Sequence, residues 1–172
     1  MIIKYSQIIH SPVIELKDQT RLGFASDLVI QKSDLSVKGV IVRTGLFGVV
    51  KKAAAESDIV ELNRAAVILN DDNSLVNISE LERIKESLRE KLCGINQSVR
   101  TKSGKMIGRV YDYAIDNSTN AIQKFYVKSL FSDRIIPVSA VTEIKGKHII
   151  IRDDFEIATA LEPAKALKPE VA

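Results

Sequence analysis

Gly104 and Gly108, with Lys102, Lys105 and Arg109 around them, come nearest in type and spacing to a chemistry: a glycine loop whose cations cradle a phosphate. The stretch reads TKSGKMIGRVYDYAID over residues 101–116. A Walker-type loop needs a longer span from its first glycine to a Gly-Lys-Ser/Thr ending, then a helix whose amides face the phosphates. Here Arg109-Val110 follows the second glycine, and the next residues alternate like a strand. Val110 and Ala114 are predicted on one face, with Tyr111, Tyr113 and Ile115 on the other. The stretch therefore reads as a turn feeding a strand.

Other reactive side chains make no catalytic constellation. His10 and His148 stand far apart in the chain, with no acid or nucleophile at a telling spacing, and read as surface or rim residues. Cys93 is the one cysteine and reads as a small buried hydrophobe at the end of a helix. One Cys and two distant His residues make no metal cluster. Asp27 and Asp112 read as carboxylates that satisfy turn amides rather than as general bases. The expectation is no catalytic, metal or cofactor site.

Two binding surfaces are candidates. Residues 95–152 carry ten basic side chains against four acidic ones, whereas the first 94 residues balance at thirteen of each. Lys102, Lys105 and Arg109 fall near the first turn, and Lys124 and Lys128 interleave with Tyr126 on one strand face. Mobile cations beside a stacking aromatic are what phosphate and base contact require. The same pattern also suits the wet face of a barrel. In GLFGVVKKAAA, Leu46, Phe47, Val49 and Val50 lie among glycines and lysines, a composition fit either to dock a protein partner or to complete a strand pair.

The elements that must position these groups occur twice. RLGFASDLVIQKSDLSVKGVIVRTG lies over MIGRVYDYAIDNSTNAIQKFYVKSL at an offset of 85, matching Gly23 with Gly108 and Asp27 with Asp112. The agreement resumes at an offset of 82, where SDIVELNRAAVIL lies over SAVTEIKGKHIII. Lys102 and Lys105 have no counterparts, so they are local additions to a repeated unit. In the second copy strands are predicted over 97–101, 108–116, 121–130, 134–137 and 148–152, broken by Asn-, Ser- and Gly-rich turns. Short strands without a covering helix are best buried by curling into a small barrel. Between the copies NISELERIKESLREKLCG predicts one amphipathic helix. Its stripe is Leu81, Ile84, Leu88 and Leu92, its cap Asn77 or Ser79, and its stop Gly94. The Ala-, Pro- and Lys-rich residues 155–172 read as a tail.

At 172 residues and 45% hydrophobic content the chain suits a soluble globular protein of one domain or two small ones. No apolar run approaches the ~20 residues needed to cross a bilayer, and Lys4 interrupts what would have to be a signal sequence. A cytoplasmic location and a reducing compartment are expected.

The second copy resembles the PRC-barrel family, whose barrel occurs in the cytoplasmic part of the photosynthetic reaction centre and in the C-terminal domain of ribosome maturation factors. The resemblance rests on the Gly-x-x-x-Gly-x-Val-x-Asp opening at residues 104–112, the apolar strand at 125–127, Pro137-Val138-Ser139 and the closing strand at 149–151. The first copy departs from it at Gln19 and Ala55. It implies a mainly β protein of two tandem PRC-type barrels joined by the helix: a first module at 1–76, the helix at 77–94, a second module at 95–154 and the tail. The expected function is a non-catalytic adaptor for a protein partner. An RNA- or ribosome-associated assembly factor is the alternative, and a membrane-peripheral or photosynthetic accessory scaffold the further one.

Overall fold

The computed structural model describes residues 1–89, 94–130, 132–155 and 158–159. The chain is mainly β and forms two sheets. A short strand β1 (Ile2–Lys4) and one turn of helix α1 (Tyr5–Ile8) come first. The first repeat follows as β2 (Pro12–Glu15), β3 (Arg21–Ile30), β4 (Val37–Thr44), β5 (Val50–Ala55), β6 (Ile59–Leu62) and β7 (Val67–Leu69). Helix α2 (Glu82–Arg89) separates it from the second, which comprises β8 (Ser98–Thr101), β9 (Met106–Asp116), β10 (Ala121–Lys128), β11 (Asp133–Pro137), β12 (Val141–Lys145) and β13 (His148–Ile151).

Both repeats wire their strands alike. The first sheet runs β5-β4-β3-β2-β7-β6, and the second carries the matching order β11-β10-β9-β8-β13-β12. All pairs are antiparallel except β2 with β7 and β8 with β13, the first and last strands of each repeat. Val141–Lys145, missing from the predicted strands because three polar positions mask its alternation, forms β12 by pairing with β13. Strand β14 (Ala158–Thr159), inside the stretch expected to be a tail, extends the β11 edge.

The expected closed barrels are not formed. Among the described residues the edge strands β5 and β6 do not pair with each other, and neither do β11 and β12. Yet β5 and β6 are joined only by the 3-10 turn Glu56–Asp58. A flat six-stranded sheet would hold its edges about 24 Å apart, well beyond the ~14 Å that four residue steps can span. Each sheet must therefore curl until its edges approach at this corner, without the hydrogen bonds that would seal it. A 3-10 turn at Val138–Ala140 does the same for the second repeat.

One apolar cluster runs through both sheets, taking Val13, Leu28, Val40, Val67 and Leu69 from the first and Val99, Val110, Tyr113, Phe125 and Ile149 from the second. The N-terminal segment belongs to this junction rather than to the first repeat alone. β1 pairs with β9 of the second sheet, and Ile3 and Ile8 lie in the shared core. The hairpin turns also meet, through an antiparallel bridge between Ser36 and Ala121. There Val37 N–H donates to Asn120 O at 2.7 Å and Ile122 N–H to Leu35 O at 3.0 Å.

The linking helix is shorter than its apolar stripe predicts. A 3-10 turn at Ile78–Glu80 precedes α2, and Leu81 between them is extended (φ −106°, ψ 90°), outside the helix, though its side chain still packs against the same cluster as Ile84. Asn77 makes no capping bond; its side-chain amide donates to Glu80 instead. Ile84 is buried on the outer face of the first sheet against Val29, Ile41 and Ala53, whereas Leu88 is 39% exposed. Leu92 and Cys93 lie outside the described residues. Gly39 on β4 makes the seat, since a Cβ there would come within 2.7 Å of Ile84 Cδ1. Ile84→Ala is expected to lower the unfolding free energy by about 2 kcal/mol, and Leu88→Ala by no more than about 0.5 kcal/mol. Urea denaturation of both variants checks this; equal losses would make the stripe act as a whole.

Candidate functional site

Thr44 pairs with Val50 and Arg43 with Lys51 at the end of the β4–β5 hairpin. Between them the chain must reverse, and Gly45 (φ 78°), Phe47 (φ 65°) and Gly48 (φ 64°) do this with left-handed backbone. Glycine adopts such angles freely, whereas phenylalanine is strained there. The result is a 3-10 turn, Leu46–Gly48, that turns its apolar side chains outward. Leu46 is 82% exposed, Phe47 93%, Val49 76% and Val50 49%, so none of the four completes the core. Arg43 and Lys51 face each other across the strand pair just behind the tip, like charges in direct opposition. In the second repeat Leu130 is also exposed at the β10–β11 turn; Phe131 lies outside the described residues. β4 and β10 both start at the antiparallel Ser36–Ala121 bridge, so they carry their two tips in opposite directions.

The basic residues divide into two groups. Lys102 and Lys105 are exposed on the β8–β9 turn. Ser103 anchors this turn, its amide and hydroxyl donating to Asp153 at 3.0 and 2.8 Å. Those bonds, first the backbone one, hold the Asp153 carboxyl below its ordinary value, with Lys102 adding to the effect. Because the folded value is depressed, the contact stabilises the turn above the unfolded aspartate range and is lost as pH falls through the folded value. In an acid titration followed by NMR, the Ser103 amide resonance is expected to move in one step with a midpoint below the ordinary aspartate value of 3.8. A midpoint at or above that value would remove the contact.

Arg109 lies opposite Lys128 in the β9–β10 register, and its guanidinium donates to Asn96 O at 3.1 Å. Lys124 and Tyr126 extend this second group along β10. Two residues not foreseen from the sequence join them. Lys4 on β1 places its ammonium 4.6 Å from the Tyr126 ring centroid, and Lys124 places its own at 5.8 Å. Tyr111 lies 6.1 Å from Tyr126, centroid to centroid, at 45°. Tyr111 does not share a face with Tyr113 and Ile115 as alternation predicts. The β9–β10 register slips between Tyr126 and Val127, so Tyr111 is bulged outward while its neighbours Val110 and Tyr113 are both buried. Burial first, then the Asp133 carboxylate, push the Tyr111 phenol up, so it stays a neutral ring.

Asp27 and Asp112 do hold backbone, at these bulges. Asp112 accepts from Tyr113 N–H at 2.9 Å, Ser6 N–H at 3.2 Å and Ser6 Oγ at 2.6 Å. Asp27 accepts from Leu28 N–H and the Tyr5 hydroxyl, both at 2.9 Å. The matched carboxylates of the two repeats are thus gripped by consecutive residues of α1. His148 Nδ1 contacts Ser98 Oγ, its neighbour across the parallel β8–β13 pair. Ser98 is buried, and no carboxylate among the described residues bonds the imidazole, so the contact lacks the third member of a nucleophilic triad. His10 is exposed in a left-handed turn (φ 72°). Among the described residues no group of His, Cys, Asp or Glu side chains is placed to hold a metal ion, and no helix is long and apolar enough to cross a membrane. A cleft of about 1230 Å³ beside α2 is lined by Lys38, Glu56, Glu80, Glu82 and Glu86, with Lys38 paired to Glu56 at 3.3 Å.

No family model and no curated protein matches this chain.

Proposed function

We propose that the chain is a non-catalytic adaptor of two PRC-type modules, and that the Leu46–Val50 tip is the surface that seats in a protein partner. The observation that carries this reading is the combination of exposure and strain at Phe47. A bulky residue is held at positive φ, between two glycines, with its ring in water. Strain of this kind costs about 1–3 kcal/mol, persists only where the surrounding structure imposes it, and clusters at ligand clamps and switch regions. The apolar knob is backed by Arg43, Lys51 and Lys52 with no acidic residue between Arg43 and Ala55. A complementary partner offers an apolar pocket with an acidic rim. The twice-repeated strand order, with its parallel first-to-last pair, supports two copies of one module, and the PRC-type label rests on the sequence resemblance.

The test places a photo-crosslinking residue at Phe47, and separately at Leu130, in cells that make the protein, with RNase-treated and untreated arms. A protein crosslinked at Phe47 in both arms is then purified and titrated against the parent chain and Phe47→Asp. The expected result is binding weakened at least about tenfold in the variant, as for a desolvated aromatic anchor, with an unchanged melting temperature. Binding indifferent to Phe47→Asp, or crosslinks only to lipid or RNA, would overturn the reading.

A further inference from the structure

Paired residues on adjacent strands share a face of the sheet. Lys4 pairs with Ala114 and Ala114 with Lys124, so the two lysines stand on either side of one small residue. Both ammoniums then converge on the ring of Tyr126, at 4.6 and 5.8 Å from its centroid. Among the described residues neither is paired with a carboxylate. Two cations drawn to one ring repel each other, and an anion between them removes that repulsion. Farther along β10 the same problem recurs, with Arg109 directly opposite Lys128. The two cation pairs are separated by four residues of strand, about 13 Å. Tyr111, a residue 43% exposed, borders this track and is fixed by the outward bulge and by its hydroxyl bond to Asp133. Among the described residues two acidic groups act on Tyr111, Asp133 opposite Lys128 and the buried Asp112 opposite Tyr126, whose carboxylate is taken up by Ser6 and the Tyr113 amide.

We propose that this face of β1, β9 and β10 binds single-stranded nucleic acid, with phosphates at Lys4/Lys124 and at Arg109/Lys128 and a base stacked on Tyr111. The site is separate from the Leu46–Val50 tip and stands or falls independently of it. Cation pairs spaced along a strand suit a repeating phosphate backbone, and an adjacent exposed ring adds a contact that a simple polyanion cannot use. Among the described residues the turn residues Lys102 and Lys105, the more obvious cations in the sequence, have no aromatic contact, and they are not part of it.

Fluorescence anisotropy of the full chain with a labelled oligouridylate, and with an oligothymidylate of equal length, tests the proposal; inorganic polyphosphate is the charge-only competitor. Saturable binding of either oligonucleotide that weakens with salt is expected. Lys4→Ala/Lys124→Ala should make the salt slope shallower by about one unit per lost phosphate contact. Tyr111→Ala should weaken binding about tenfold at fixed salt and leave the slope alone. Tyr111→Leu repeats that measurement if the alanine variant melts early. Lys102→Ala/Lys105→Ala should change neither. The proposal is overturned by absence of binding at low salt, or by affinity indifferent to Lys4 and Lys124. Polyphosphate competing as well as unlabelled oligouridylate, with no effect of either Tyr111 variant, would reduce the face to a plain anion patch.

Discussion

Gly108→Val is expected to lower the unfolding free energy by about 3 kcal/mol, the upper part of the range for forcing atoms into a filled core. The reason is a close approach of backbone, not a left-handed angle. A Cβ at Gly108 would overlap the carbonyl oxygen of Lys128 on β10 and stand 2.8 Å from Val127 Cγ1. The carbonyl belongs to a paired strand and cannot swing away as a side-chain end can. Gly23, its match in the first repeat, meets the same obstacle in the carbonyl oxygen of Arg43, with Val42 Cγ1 at 2.9 Å. Gly104 is the control. It has φ +90°, but a Cβ added there would meet nothing within 4 Å, so Gly104→Ala should cost only about 1 kcal/mol of backbone strain. Urea denaturation ranks the variants. Equal losses at Gly104 and Gly108 would show that conformation, not space, governs both.

Asp112→Ala is expected to cost a similar amount, about 3 kcal/mol, because it strands two backbone donors at once. Tyr113 N–H and Ser6 N–H both end on Oδ1 of this buried carboxylate, and Ser6 Oγ ends on the other oxygen. Tyr113 lies in the shared core, so its amide cannot turn to water. The loss should also have a location. Amide exchange of Ser6 and Tyr113 should accelerate before the rest of the second sheet, since α1 is released where it crosses β9. Asp27→Ala should be milder, because it strands one backbone donor, Leu28 N–H, where Asp112→Ala strands two. Uniform acceleration across both sheets would mean that Asp112 supports the whole fold rather than this junction.

Much of the architecture is written in local residue order. Gly23 and Gly108, Asp27 and Asp112, and the apolar runs between them announce two copies of one strand unit. The turns at residues 117–120 and at Gly146 follow from their Asn, Ser and Gly content. The apolar composition of Gly-Leu-Phe-Gly was legible, but whether its side chains turn outward or complete a strand pair was not. What the residue order could not decide is which distant strands meet, because pairing energy depends on residues far apart in the chain. Tyr111 is the clearest case. Strict alternation places it with Tyr113, but a slip against Tyr126 on the neighbouring strand turns it outward. Lys4 gains its place only because β1 leaves the first repeat and pairs with β9, a three-residue strand with no periodicity to announce it. Leu88 looked like one rung of a continuous stripe, yet it stays 39% exposed while Ile84 fills the space that Gly39 leaves open and Leu81 packs against the same cluster. Closure, too, was decided in three dimensions. The apolar content demands a curled sheet, but hydrogen bonds between its edges require strand lengths and a register that the short β6 and the three-residue corner do not supply.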